Sequence, residues 1–334
     1  MVLIHHHHYY MCLKNVINIL FLLFLFSCSK KNASIDFEHV YIYASPEDKI
    51  LLQEIVEKEL FDEAYYTPQL ELRHKPVWKR YRDFLDRPSH SKIVLISLSN
   101  PADTTADIIT EHLFSGLNSN EKIISIDNYF NQNQVLVALK YHNINDFNNE
   151  LIHYKAWILS LLDQNDRFAM KDVAYRAGIN DTLSSMVLDM FDAAINIPMD
   201  YQLIKQNILD NHLWLGRGYP YRWMYFFEDE EKYYTTPALS WSRIDSQFSN
   251  FLDVEIIDYG ASFSKSPTQI KGVYGTKISS ENGTGGPFFS KIIQDYKIGK
   301  VLVVSGFVNF PGKSKIFHIK ELEYILNNIK YKDE

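Results

Sequence analysis

Cysteine is nearly absent from this chain, which holds only Cys12 and Cys28 in 334 residues. Beyond residue 28 there is no thiol for a disulfide, a Cys-ligated metal or a thiol nucleophile. A basic stripe is missing too. The 34 Lys and Arg are scattered among 41 Asp and Glu, and the net charge is −7. Non-specific nucleic-acid binding needs clustered cations to release counterions, so no nucleic-acid partner is expected. No GxSxG elbow and no HExxH occurs, and outside the first ten residues no two histidines stand at metal-ligand spacing. No cofactor and no metal are therefore expected. What remains is a chain rich in apolar residues (46%) and aromatics (14%, with 22 Tyr and 21 Phe). That is enough for one large domain or two packed ones with a real core.

The stretch that carries the most meaning is Leu25-Phe26-Ser27-Cys28. An apolar run from Val16 to Phe26 precedes it, with Lys14 in front. The run is about half the twenty residues a spanning helix needs, so it reads as a removed signal. Leu at −3, Ser at −1 and Cys at +1 fit a bacterial lipobox. The alternatives are a plain secretory signal with an incidental cysteine, or a membrane anchor. On the lipobox reading the mature chain starts at Cys28, carrying lipid. Two or more acyl chains anchor stably where one binds only marginally. Residues 1–10, with His5 to His8, read as a start-site or tag artefact within the signal peptide 1–27. Residues 28–36 are then a lipidated tether.

The body divides into an N-terminal α+β half, 37–190, and a C-terminal α+β half, 191–334. Val40 to Tyr43, Ile93 to Leu98 and Val135 to Lys140 read as strands. Ser45-Pro46-Glu47-Asp48 opens a helix with a cap, a first-turn proline and acids at the positive dipole end. Its expected core stripe is Ile50, Leu51, Ile55 and Leu60. A longer helix covers Phe147 to Leu162, and another starts near Asp181 after Asn180. Later, Asn211–Arg217 and Tyr221–Glu228 flank Gly218-Tyr219-Pro220 as a hairpin. Glu228-Asp229-Glu230-Glu231 reads as a solvated turn, and Leu239 to Phe251 as a helix. Lys271 to Ser279 is a strand, and Pro287 opens a helix carrying Phe288, Phe289, Ile292 and Ile293. Val301 to Phe310 is a long strand, and a final helix closes the fold. The class is α+β, with antiparallel sheets packed by amphipathic helices.

Two stretches invite a binding role. Gly285 and Gly286 before a helix entry would offer free amides to an anion, although Pro287 contributes none. The aromatic hairpin places Trp223, Tyr225 and Phe227 on one strand face and Arg222, Met224 and Phe226 on the other. Trp214, Arg217, Arg222 and Trp223 there, with Arg243 further on, suit sugar stacking or an interface anchor. Gly306 to Ser314 (GFVNFPGKS) is not a phosphate loop, because five residues rather than four precede Gly-Lys-Ser.

In order and spacing the chain resembles a family of Bacteroidota lipoproteins known only as a domain of unknown function. The resemblance rests on the lipobox, Ile93–Leu98, the helix before Ile197-Pro198, and Trp214-Leu215-Gly216-Arg217. It extends to Arg243-Ile244-Asp245-Ser246, Gly285-Gly286-Pro287-Phe288 and Leu302 to Phe307. It implies an envelope lipoprotein and no established activity. The expectation is a lipid-anchored protein of the cell envelope, at the outer membrane and facing the periplasm. It would bind a partner protein or glycan without catalysis. The alternative is a periplasmic hydrolase with Asp/Glu–His chemistry assembled from distant positions.

Overall fold

The computed structural model describes residues 30–99, 104–117, 121–257, 266–276 and 285–331. Cys28 and Gly283-Thr284 lie outside them. In chain order the first half holds β1 (His39–Ala44), α1 (Pro46–Ile55), β2 (Ala64–Tyr65), β3 (Glu71–Leu72) and β4 (Lys75–Arg80). There follow α2 (Tyr81–Phe84), β5 (Lys92–Ser97), α3 (Thr104–Phe114), β6 (Ile123–Asp127), β7 (Val135–Lys140) and α4 (Ile144–Ala174). After α5 (Asp181–Phe191) come β8 (Ala193–Ala194), β9 (Gln202–Asn207), β10 (His212–Arg217), β11 (Tyr221–Glu230), α6 (Pro237–Phe251) and β12 (Val254–Ile256). The chain closes with β13 (Gln269–Thr276), β14 (Gly285–Lys297), β15 (Lys300–Asn309), α7 (Ile316–Asn327) and β16 (Lys330–Tyr331).

The mixed α+β class and the closing helix are as the sequence indicates. A five-stranded sheet runs β4-β1-β5-β7-β6. Its first four strands are parallel and only β6 is antiparallel, a feature absent from the sequence reading. The cause is legible afterwards: every residue of β5 (KIVLIS) is buried, as in parallel strands covered on both faces. Leu52, Val56, Phe147, Leu151, Ile158 and Leu162 cover one face. Tyr81, Phe84, Ala106 and Leu113 cover the other.

The second sheet is antiparallel, in the order β12-β13-β14-β15-β11-β10-β9. It too is covered on both sides. Met224, Phe226, Leu302 and Val304 meet α5, α7 and the last turns of α4 through Met170, Val187, Leu322 and Ile325. Tyr225, Phe227, Val303 and Phe307 meet α6 through Trp241, Ile244 and Phe248. The alternation expected along β11 is thus realised. α4 belongs to both cores, packing the first sheet up to Leu162 and the second from Ala169 on.

Four local expectations are corrected. The buried stripe of α1 runs through Asp48, Leu52 and, past its end, Val56 and Leu60, while Ile50 is 79% and Leu51 49% exposed. Spacing alone did not choose between two partly apolar faces. Second, α4 continues three turns past Leu162. Third, Pro287 opens no helix; it lies in β14, pairing with Val273. The doublets Phe288-Phe289 and Ile292-Ile293 imitate helical i, i+4 spacing. On a strand covered on both faces they feed two cores at once, Phe288 and Ile292 one, Phe289 and Ile293 the other. Fourth, from Lys30 onward the tether is bonded to the body. Ala33 N donates to Gln132 O at 2.8 Å, Gln132 N to Lys31 O at 2.8 Å, and Ser34 N to Ser89 O at 2.6 Å. No described helix is long and apolar enough to cross a membrane.

Candidate functional site

The residues singled out in the sequence fall in four separate places. Arg217 and Arg222 are cross-strand partners at the turn end of the β10–β11 hairpin. Both face α7 and both pair with Glu321, Arg222 in direct contact and Arg217 at 3.3 Å. Arg217 also pairs with Asp200, and Arg222 Nη1 donates to His318 Nδ1 at 2.9 Å. Burial, followed by the charges of Arg222 and Arg217, pushes the His318 pKa down to about 4. The imidazole is therefore neutral and free to accept. Arg222 is buried, so this cluster clamps the hairpin to α7 and offers no open binding surface.

Trp214 and Trp223 stand on the opposite face of the sheet, edge to face at 5.8 Å, against the core under α6. Arg243 grips Asp229 with both nitrogens, Nε at 2.7 Å from Oδ2 and Nη2 at 2.9 Å from Oδ1. Tyr234 OH donates to the same carboxylate at 2.8 Å. The acidic run at 228–231 is therefore not a solvated turn. Its first three residues end β11, and Asp229 is a buried anchor for α6. Gly285 and Gly286 open a strand, where a Cβ would collide with the carbonyl of Tyr274 or of Val308. Close strand packing, not anion capture, explains glycine there.

The densest cluster of buried titratable groups lies where α4, α7 and the first sheet meet, and the sequence reading missed it. Asp166 receives two buried ammonium groups: Lys92 Nζ lies 2.9 Å from Oδ1 and Lys320 Nζ 2.6 Å from Oδ2. Lys320 also donates to Phe37 O at 2.7 Å. One turn earlier, Asp163 takes His74 Nε2 at 3.0 Å, Arg73 Nε at 3.0 Å and Arg73 Nη2 at 3.0 Å. Burial, with Lys320 adding to it and Asp166 opposing, lowers the Lys92 pKa to about 8. Burial likewise lowers His74 to about 4. Burial works against the Asp163 carboxylate, but His74 and Arg73 overcome it and hold it well below the usual range.

His74, Asp163 and Asp166 bring ligand atoms within 4.8 Å of one another. A divalent ion there would meet three cations already seated. Both oxygens of Asp166 carry ammonium bonds and Asp163 is forked by Arg73, so the donor set is committed to internal ion pairs. One member of this cluster is marked in the sequence. Asp166 sits four residues after Leu162 and four before Met170, a carboxylate inside an apolar helical stripe.

Above the network opens a cavity of about 410 Å³, with Asp163, Asp166 and Lys320 on its floor. α4 supplies Arg167, Phe168 and Lys171 as one wall, and α7 and its end supply Tyr324, Asn327 and Asn328 as the other. A second cavity of about 640 Å³ shares Lys171, Tyr324 and Asn328 and runs on past Tyr175, Asn196 and Lys330. The two form one groove along the helices. Phe168 is 66% exposed, and Tyr175 and Tyr324 meet at 6.2 Å. Arg167, Lys171 and Lys330 form no ion pair among the described residues, so their charges remain free for a ligand.

Residues 255–328 match the family model of a domain of unknown function, DUF4837. The match runs from β12 to the end of α7. It takes in one wall of the groove, both glycines and Lys320, but none of α4. No curated protein matches the chain.

Proposed function

We propose that this chain is a lipid-anchored protein of the cell envelope, held by lipid at Cys28, that binds an envelope partner in the groove between α4 and α7. The location taken is the periplasmic face of the outer membrane. One contrast supports binding over chemistry: the charges under the groove are consumed by internal pairs, while its walls keep unpaired cations, aromatic rings and amides. Rings and amides suit a glycan or peptide segment, and Arg167 and Lys171 favour one that carries negative charge.

The test is in-cell photo-crosslinking from position 168, with position 50 on α1 as the control. The expected result is one adduct at 168 that disappears in an Arg167→Ala, Lys171→Ala protein. A folded, membrane-bound protein giving no adduct at 168 overturns the reading.

A hydrolase reading has one observation in its favour, the His74–Asp163 pair. His74 is 1% exposed and does not line the cavity, and no Ser, Thr or Cys does either. General-base catalysis needs the base within hydrogen-bond reach of substrate. A substrate panel in which hydrolysis is abolished by His74→Gln would restore that reading.

A further inference from the structure

We infer that the face formed by the chain around residues 30–35 and the loops at 84–90 and 127–134 lies directly on an anionic lipid bilayer. The inference rests on Cys28 as the lipid attachment point. Lys30, the first described residue, is bonded to the body: its Nζ donates to the carbonyls of Asn128 and Tyr129, the latter at 3.1 Å. Two residue steps separate it from Cys28, a reach of about 7 Å at full extension. A lipid at Cys28 therefore has almost no leash, and the surface next to Lys30 must meet the headgroups.

That surface is held together independently of the lipid. Asn131 Nδ2 donates to Pro88 O at 3.1 Å, and Gln134 Nε2 to Pro88 O at 3.0 Å and His90 O at 2.7 Å. Beneath, Phe84, Tyr129 and Phe130 form a ring cluster, with Phe84–Phe130 at 5.0 Å and Tyr129–Phe130 at 4.5 Å. The face is thus a rigid platform whose orientation the anchor would set.

Its chemistry fits the interfacial zone, where aromatic rings and cations gather. Leu85 is 59% and Ile35 40% exposed. Lys30, Lys31 and Arg87 on this face, with Arg82 just before it, stand against Asp86 and Asp127 in a chain whose net charge is −7. Arg80 pairs with Asp83. Lys31, Arg82 and Arg87 form no ion pair among the described residues and remain free for lipid phosphates.

The experiment uses the full lipidated protein in vesicles of phosphatidylethanolamine and phosphatidylglycerol. One fluorophore is placed at Leu85→Cys and, in a second protein, at Leu209→Cys, which is 95% exposed on the turn after β9. Quenching by headgroup-labelled lipid should be several-fold stronger at 85 than at 209. Arg82→Glu with Arg87→Glu should reduce that quenching while co-flotation persists. Equal quenching at both sites in a co-floating protein overturns the platform and leaves lipidation standing. A protein that does not float, with Cys28 unmodified by mass, removes lipidation and the platform together.

Discussion

Two buried charge clusters leave α7 from adjacent residues. Lys320 points toward α4 and joins Asp166 and Lys92, and Glu321 points toward the β10–β11 hairpin and joins Arg217 and Arg222. One step along a helix turns the side chain by about 100°, so α7 binds two bodies with opposite charges. The first cluster gathers two ammonium ions on one carboxylate, and the second gathers two guanidinium ions on one carboxylate. A guanidinium does not titrate in the accessible range, whereas an ammonium loses its proton readily when buried. Hence in alkali the α4 contact titrates and the hairpin contact does not.

The sharpest way to break the comparison is to remove each carboxylate. Asp166→Ala strands two buried ammonium groups, and orphaned buried charge costs about 3–5 kcal/mol; denaturant unfolding should show a loss at the upper end. Glu321→Ala should cost less, about 3 kcal/mol, because Arg217 keeps Asp200.

Acid should affect both clusters. His74 and His318 each sit near 4 when folded, below about 6.5 when unfolded. The stability they lend is present above pH 6.5 and is lost as pH falls toward 4. His74→Gln with His318→Gln should flatten that slope in unfolding curves, unless the exchange costs the fold outright. Alkali should separate the clusters. Lys92 is near 8 when folded and about 10.4 when unfolded, so stability rises as pH climbs between these values. Lys92→Met should remove the rise, and Arg222→Met should leave it intact.

The smallest effect should come from Arg167→Ala with Lys171→Ala. These exposed cations have no ion-pair partner among the described residues, so stability should move by about 0.5 kcal/mol or less. Partner capture in the groove should nonetheless fall.

Much of the fold was legible because its signals are local. Ser45 caps α1 by accepting from Asp48 N, and Asn180 caps α5 by accepting from Leu183 N. The hairpin at 212–230 follows from alternation. β14 was misread because two-sided burial erases alternation and leaves doublets. Spacing marks Asp166 but not its partners under the groove: Asp166 and Lys320 are 154 positions apart, and only the stacking of α4 on α7 brings them together. Arg217, Arg222 and Arg243, binding candidates from the sequence, each meet a carboxylate of this chain; sequence cannot tell a cation held internally from one awaiting a partner.

α4 has one further consequence. At about 46 Å, it is a single rod whose first turns are bedded in one core and whose last turns are bedded in the other. Neither sheet can swing away without snapping the rod near Asp163 and Asp166, where the internal ion pairs are densest. The two halves are thus mechanically spliced, and a force applied at the N-terminus passes through this splice into the antiparallel sheet.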